Sequence, residues 1–189
     1  MNADLLVYQA KAFYNAYIAL DQLSRDDSDT LLLLFAPLVV NGAFSVELAL
    51  KAILAKNQIE YGKEHNLLIL FQMLPKSFQQ ELWAYLIEKA PEYAGSEKGL
   101  DELILLSNAF VDWRYAFEGK PVPAIESRFL AAFANAAVHT MLSYYNADLL
   151  PATKAESNNE IEQRFHENRE KCKEINLKMI QKKTKEHQL

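Results

Sequence analysis

Glu47 and Lys51 stand one helical turn apart in "NGAFSVELALKAILAKN", residues 41–57, a stretch that is otherwise apolar on nearly every side. An acid and a base enclosed together can exchange protons, hold a charged ligand, or do no more than neutralise each other. On a helical projection they share a side with Phe44 and Leu54, while Asn41 and Ser45 form a second small polar stripe. A charge on such a face is costly unless it is paired. The partner expected for Glu47 is Arg114 in "FVDWRYAFE", beside the Phe110–Trp113–Phe117 stripe and one turn before Glu118. Arginine suits a bidentate, partly buried carboxylate pair. The expected network is therefore Glu47 with Arg114 across a helix contact, extended by Lys51 and Glu118.

His65, just ahead of "NLLILF", is a further candidate ligand contact, or else a residue that caps the helix start or packs on Tyr61. The ligand-binding candidates are thus Glu47, Lys51, His65, Arg114 and Glu118, and no residue is assigned a catalytic role. A purely structural network is the stronger reading of the cluster, because structural ion pairs perturb their neighbours as much as active sites do. Four scattered histidines match no His-x3-His or His-Glu-x-x-His pattern, so no metal is expected. The single cysteine, Cys172, excludes a disulfide framework and a multi-cysteine zinc site, and no histidine is placed to activate it. Trp83 and Trp113 read as core anchors. No cofactor is implied.

The elements that must position these groups are helical. Apolar residues at Leu6, Ala10, Phe13, Tyr17 and Leu20 predict a helix over 4–23. "SRDDSDT" interrupts it, and a second helix runs over 31–57 with Pro37 kinking it or sitting in its first turn. "IEYGKEHN" reads as a loop punctuated by Gly62. "LLILFQML" and "KSFQQELWAYLIEKA" are helices stopped at Pro75 and Pro91. One helix is predicted over 100–118 and another in "AIESRFLAAFANAAVHTMLSYYNADLL", whose alanines suit close packing in a bundle. No segment alternates with period two for long enough to be a strand. The expectation is an all-α, up-and-down bundle of about five or six helices over residues 1–150. A charged C-terminal helical tail follows over 151–189, with a narrow seam at Ile161, Phe165, Asn168, Cys172, Ile175 and Met179.

With 189 residues, half of them hydrophobic, the chain can bury a sizeable core. The net charge of −5 argues against nucleic-acid binding by the whole surface while leaving room for a local basic site. The start, "MNADLLVYQAKAF", lacks the features of a signal peptide, and the longest apolar run, "LLLLFAPLVV", is too short to span a bilayer. A cytoplasmic protein without a membrane segment is expected.

The segments "NGAFSVELALKAILAKN", "GKEHNLLILFQMLP" and "FVDWRYAFEG", in that order, resemble uncharacterised bacterial members of the HEPN (higher eukaryotes and prokaryotes nucleotide-binding) superfamily over about residues 5–147. The resemblance implies a helical bundle that is often dimeric, and the small residues of "AAFANAA" suit close helix approach. Many members of that superfamily are ribonucleases whose motif is an arginine and a histidine four to six residues apart on the last core helix. Here no arginine is followed by a histidine at that spacing. Arg128 and His139 share one helix face but lie eleven residues apart, about 16 Å at helical rise. One phosphodiester cannot use both directly.

Three functions follow. The leading one is a non-catalytic HEPN-like module for a nucleotide, RNA or protein partner, in a setting such as bacterial defence, a toxin–antitoxin pair or a stress system. The second is a divergent nuclease or nucleotidyl-processing enzyme built on Glu47, Lys51, Arg114 and Glu118, with His65 as a further candidate member. The third is an oligomerisation domain, with a homodimer as the expected assembly and the tail seam docked on its own body or a partner.

Overall fold

The long apolar helix found in the sequence is the axis of the fold. In the computed structural model, residues 3–25, 28–94, 97–115, 123–146 and 170 are described. They form α1 (Ala3–Ser24), α2 (Ser28–Lys56), α3 (Leu67–Met73), α4 (Lys76–Lys89), a 3-10 turn (Pro91–Tyr93), α5 (Glu97–Leu106), α6 (Ala109–Arg114) and α7 (Ser127–Tyr145), with no strand among the described residues. Helix α2 packs against α1, α3, α6 and α7, and α7 packs against α4 on another side. That is why α2 is apolar nearly all round: Val39, Ala43, Val46, Ala49, Leu50, Ala52, Ile53 and Leu54 are all buried.

Its stretch Leu33–Lys56 is long and apolar enough to cross a membrane by length and composition. This corrects the expectation drawn from residues 31–40 alone, for the apolar character continues through the following turns. Within the bundle 56% of that apolar window is buried against neighbouring helices, while Leu33 at its start is 80% exposed. Pro37 lies inside α2, and Asn41 Nδ2 donates to the Pro37 carbonyl at 2.7 Å. Gly42 lets three helices meet, since a Cβ there would lie 3.0 Å from Tyr17 and 3.1 Å from Leu130.

Aromatic rings tie α2 to its neighbours. Phe44 meets Phe13 of α1 edge-on at 4.6 Å between centroids and stacks on Phe110 of α6 at 4.3 Å. Phe35 meets Trp113 edge-on at 5.1 Å. On α7, Ala132, Ala134, Ala136 and Ala137 are buried within the bundle. The close approach expected of "AAFANAA" is thus used inside the monomer.

The single helix predicted over 100–118 is two helices. Ser107 and Asn108 break it, and both bond to the start of α3. The Ser107 carbonyl accepts from Leu67 N–H at 2.8 Å, and Asn66 Nδ2 donates to Asn108 Oδ1 at 3.1 Å. The break supplies an acceptor to one of the backbone donors that a helix start leaves without an internal partner. The chain divides into two compact units, Met1–Leu150 and Pro151–Leu189. The tail seam with Phe165, and Glu118, lie outside the described residues.

Candidate functional site

Glu47 projects from the middle of α2 and is 1% exposed, and Lys51 is 7% exposed. Their i,i+4 spacing brings Lys51 Nζ to 2.7 Å from Glu47 Oε1. The second partner of that oxygen is His65, whose Nδ1 lies 2.9 Å away on a side chain that is 51% exposed. An ionised carboxylate only accepts hydrogen bonds, so Nδ1 carries the proton in this contact and Nε2 is left on the half-open ring. The other carboxylate oxygen, Oε2, is buried and has no partner among the described residues. Lys51 Nζ also sits 5.4 Å from the centroid of the Tyr61 ring. Burial pushes the Tyr61 hydroxyl up from its ordinary range, which keeps it protonated near neutral pH.

The segment joining α2 to α3 makes this constellation. Helix α2 ends with Gln58 N–H bonded to the Ala55 carbonyl at 3.1 Å and Ile59 N–H bonded to Leu54 at 3.0 Å. This is the paired pattern of a Schellman stop. Gln58 there has φ +58° and Gly62 has φ +55°, so the chain reverses twice and returns over α2. Glu64 Oε1 then accepts from the backbone N–H groups of His65 (2.9 Å) and Asn66 (2.8 Å). Asn66 caps α3 by accepting from Ile69 N–H at 3.0 Å. His65 is held between these bonds and turned toward Glu47, and the capping role falls to Asn66.

Arg114 is not in the cluster. It is exposed, donates to Tyr115 Oη at 3.0 Å, and lies 4.8 Å from the Phe110 ring centroid and 4.6 Å from that of Tyr115. The expected Glu47–Arg114 pair is therefore corrected to Glu47–Lys51–His65. Phe110 spends one face on Phe44, and the guanidinium one turn on covers the ring from the solvent side of the short helix α6. The residue that sequence reasoning did not join to Glu47 is His65, eighteen positions away. Only the loop conformation supplies that contact.

The arginine and histidine of α7 make separate contacts. Arg128 Nη1 pairs with Glu92 Oε1 at 3.0 Å, and His139 stacks on Tyr85 at 4.0 Å between centroids. A backbone hydrogen bond within Glu92, and then Arg128, hold the Glu92 carboxyl below its ordinary range. Among the described residues, no group of three His, Cys, Asp or Glu side chains is placed to hold a metal ion.

Among the described residues, hollows open on the bundle surface. One of about 650 Å³ is lined by Phe71, Trp83, Ile87 and Leu100 among others, far from the charged cluster in composition and mostly apolar. Another, of about 380 Å³, is lined by Ala55, Gln58, Ile59, Glu60, Tyr61 and Gly62 and adjoins the cluster through Tyr61. No curated protein and no solved structure matches the chain. A family model described as the HEPN domain matches residues 38–128, the stretch that holds Glu47, Lys51 and His65.

Proposed function

The chain carries a HEPN domain, and on that premise we propose that it is a binding module for a nucleotide or RNA that does not cut its ligand. The non-cleaving part rests on α7. Arg128 and His139 are the one arginine and histidine of that helix, and they are engaged with Glu92 and Tyr85 respectively. Neither is within reach of a phosphodiester held by the other. The binding part rests on the family and on a half-exposed imidazole fixed by a buried carboxylate, with an ammonium and a phenol ring beside it.

The test is a thermal-shift series with nucleotides and short single-stranded RNAs, run beside an RNA cleavage assay. A ligand that binds only the folded state stabilises it by about 2.7 kcal/mol at a hundred times its Kd. The expected result is a concentration-dependent rise in Tm with intact RNA. The absence of any rise would overturn the reading.

One observation favours a second reading, a divergent enzyme. The Glu47–His65 contact is the arrangement in which a carboxylate orients an imidazole for proton transfer. RNA cleavage that disappears in His65→Ala and persists in Arg128→Ala would decide for it.

A further inference from the structure

The hollow at the end of α2 contains a non-glycine residue in the left-handed conformation that a helix stop usually assigns to glycine. The left-handed position of a Schellman stop is filled by glycine in most helices, because any Cβ is strained there. Gln58 occupies it at φ +58°. The two backbone bonds of the stop offset part of that strain, but among the described residues the Gln58 side-chain amide bonds to nothing, so the side chain itself has no role within the fold. A non-glycine residue kept in such a conformation is a reason to look for a role in ligand contact. Gln58 is exposed and lines the 380 Å³ hollow, a volume within the usual range for small-molecule sites.

The other lining groups narrow the chemistry. Ala55 and Ile59 offer an aliphatic surface and Tyr61 an aromatic ring. Glu60 adds a carboxylate acceptor, and the Gln58 amide is both donor and acceptor. At Gly62 a Cβ would meet nothing within 4 Å, so the mouth there stays open. A phosphate in this hollow would face Glu60, and the nearest buried cation, Lys51, is already neutralised by Glu47. A flat, nitrogen-bearing ring with N–H donors on its edge has acceptors at Gln58 and Glu60 and apolar surface at Ala55, Ile59 and Tyr61.

We propose that this hollow takes the base of a nucleoside, with its edge at Gln58 and Glu60, its ring near Tyr61 and its phosphates outside. This rests on the nucleotide-binding reading and assigns the part of the ligand that is recognised. Affinity comes from the base, so adenosine and guanosine bind within about threefold of their monophosphates, and raising the salt weakens them little.

The experiment is calorimetric titration of adenosine, guanosine, their monophosphates and inorganic pyrophosphate into the full chain and into Gln58→Gly. Glycine relieves the left-handed strain, so the variant melts about 3 °C higher. It also loses the amide, and nucleoside affinity falls about tenfold. Stability and binding moving in opposite directions cannot come from misfolding. Pyrophosphate binding as tightly as the nucleotides, or Gln58→Gly binding nucleosides as well as the native chain, overturns the base-pocket assignment. Nucleotide binding that survives Gln58→Gly and is lost in His65→Ala removes this inference and leaves the binding module standing. If the native chain binds no nucleotide or RNA at all, both fall.

Discussion

The Glu47–Lys51–His65 cluster and the Arg128–Glu92 pair are built from the same kinds of side chain at similar distances, 2.7–2.9 Å and 3.0 Å. They differ in what surrounds them. The first sits on the central helix with its carboxylate almost fully enclosed, and the second joins the start of α7 to a 3-10 turn where Arg128 is exposed. In water, Coulomb attraction is weak and side-chain entropy opposes it, so an exposed pair contributes little. Within the bundle, each charge depends on its partner because the surrounding apolar groups offer no hydration. The consequence of removing a partner is therefore set by enclosure, and the two regions behave oppositely on substitution.

The largest effect is expected for Lys51→Met. It leaves the Glu47 carboxylate enclosed with only His65 as a neighbour, and costs about 3 kcal/mol in urea-induced unfolding. The double change Glu47→Gln with Lys51→Met removes the stranded charge and costs less than the single one. If the two substitutions are additive in that cycle, the charges are not coupled and the comparison fails.

A smaller loss, about 1 kcal/mol, is expected for His65→Ala, which removes one hydrogen bond from a half-open side chain while Lys51 still neutralises Glu47. A loss as large as that of Lys51→Met would mean that the imidazole is the main counter-charge.

Arg128→Met should leave the unfolding midpoint within experimental scatter. A clear drop would show that the surface pair of α7 has more structural weight than its exposure suggests.

Much of the site's scaffold is legible in the residues themselves. Pro75, Pro91 and Gly62 mark the breaks where they occur, and the spacing of Glu47 and Lys51 puts them on one face of a helix. Arg114 misleads because guanidinium–carboxylate pairing is a good general expectation, yet nothing in "FVDWRYAFE" says which side of the bundle its fourth residue beyond Phe110 will meet. The helix break at Ser107 is equally hidden. Its cause is a bond from Leu67 N–H, forty positions earlier in the chain.

Helix type and the i,i+4 ion pair are properties of neighbouring residues, so the amino-acid order alone determines them through local backbone sterics and the 3.6-residue repeat. The family resemblance is of the same kind, carried by short segments in a fixed order. The placement of His65 on Glu47, the left-handed turn at Gln58 and the outward aim of Arg114 belong to the tertiary structure. They depend on how segments far apart in the chain cross and rotate when the apolar faces close on one another, and the periodicity of each helix does not encode those angles.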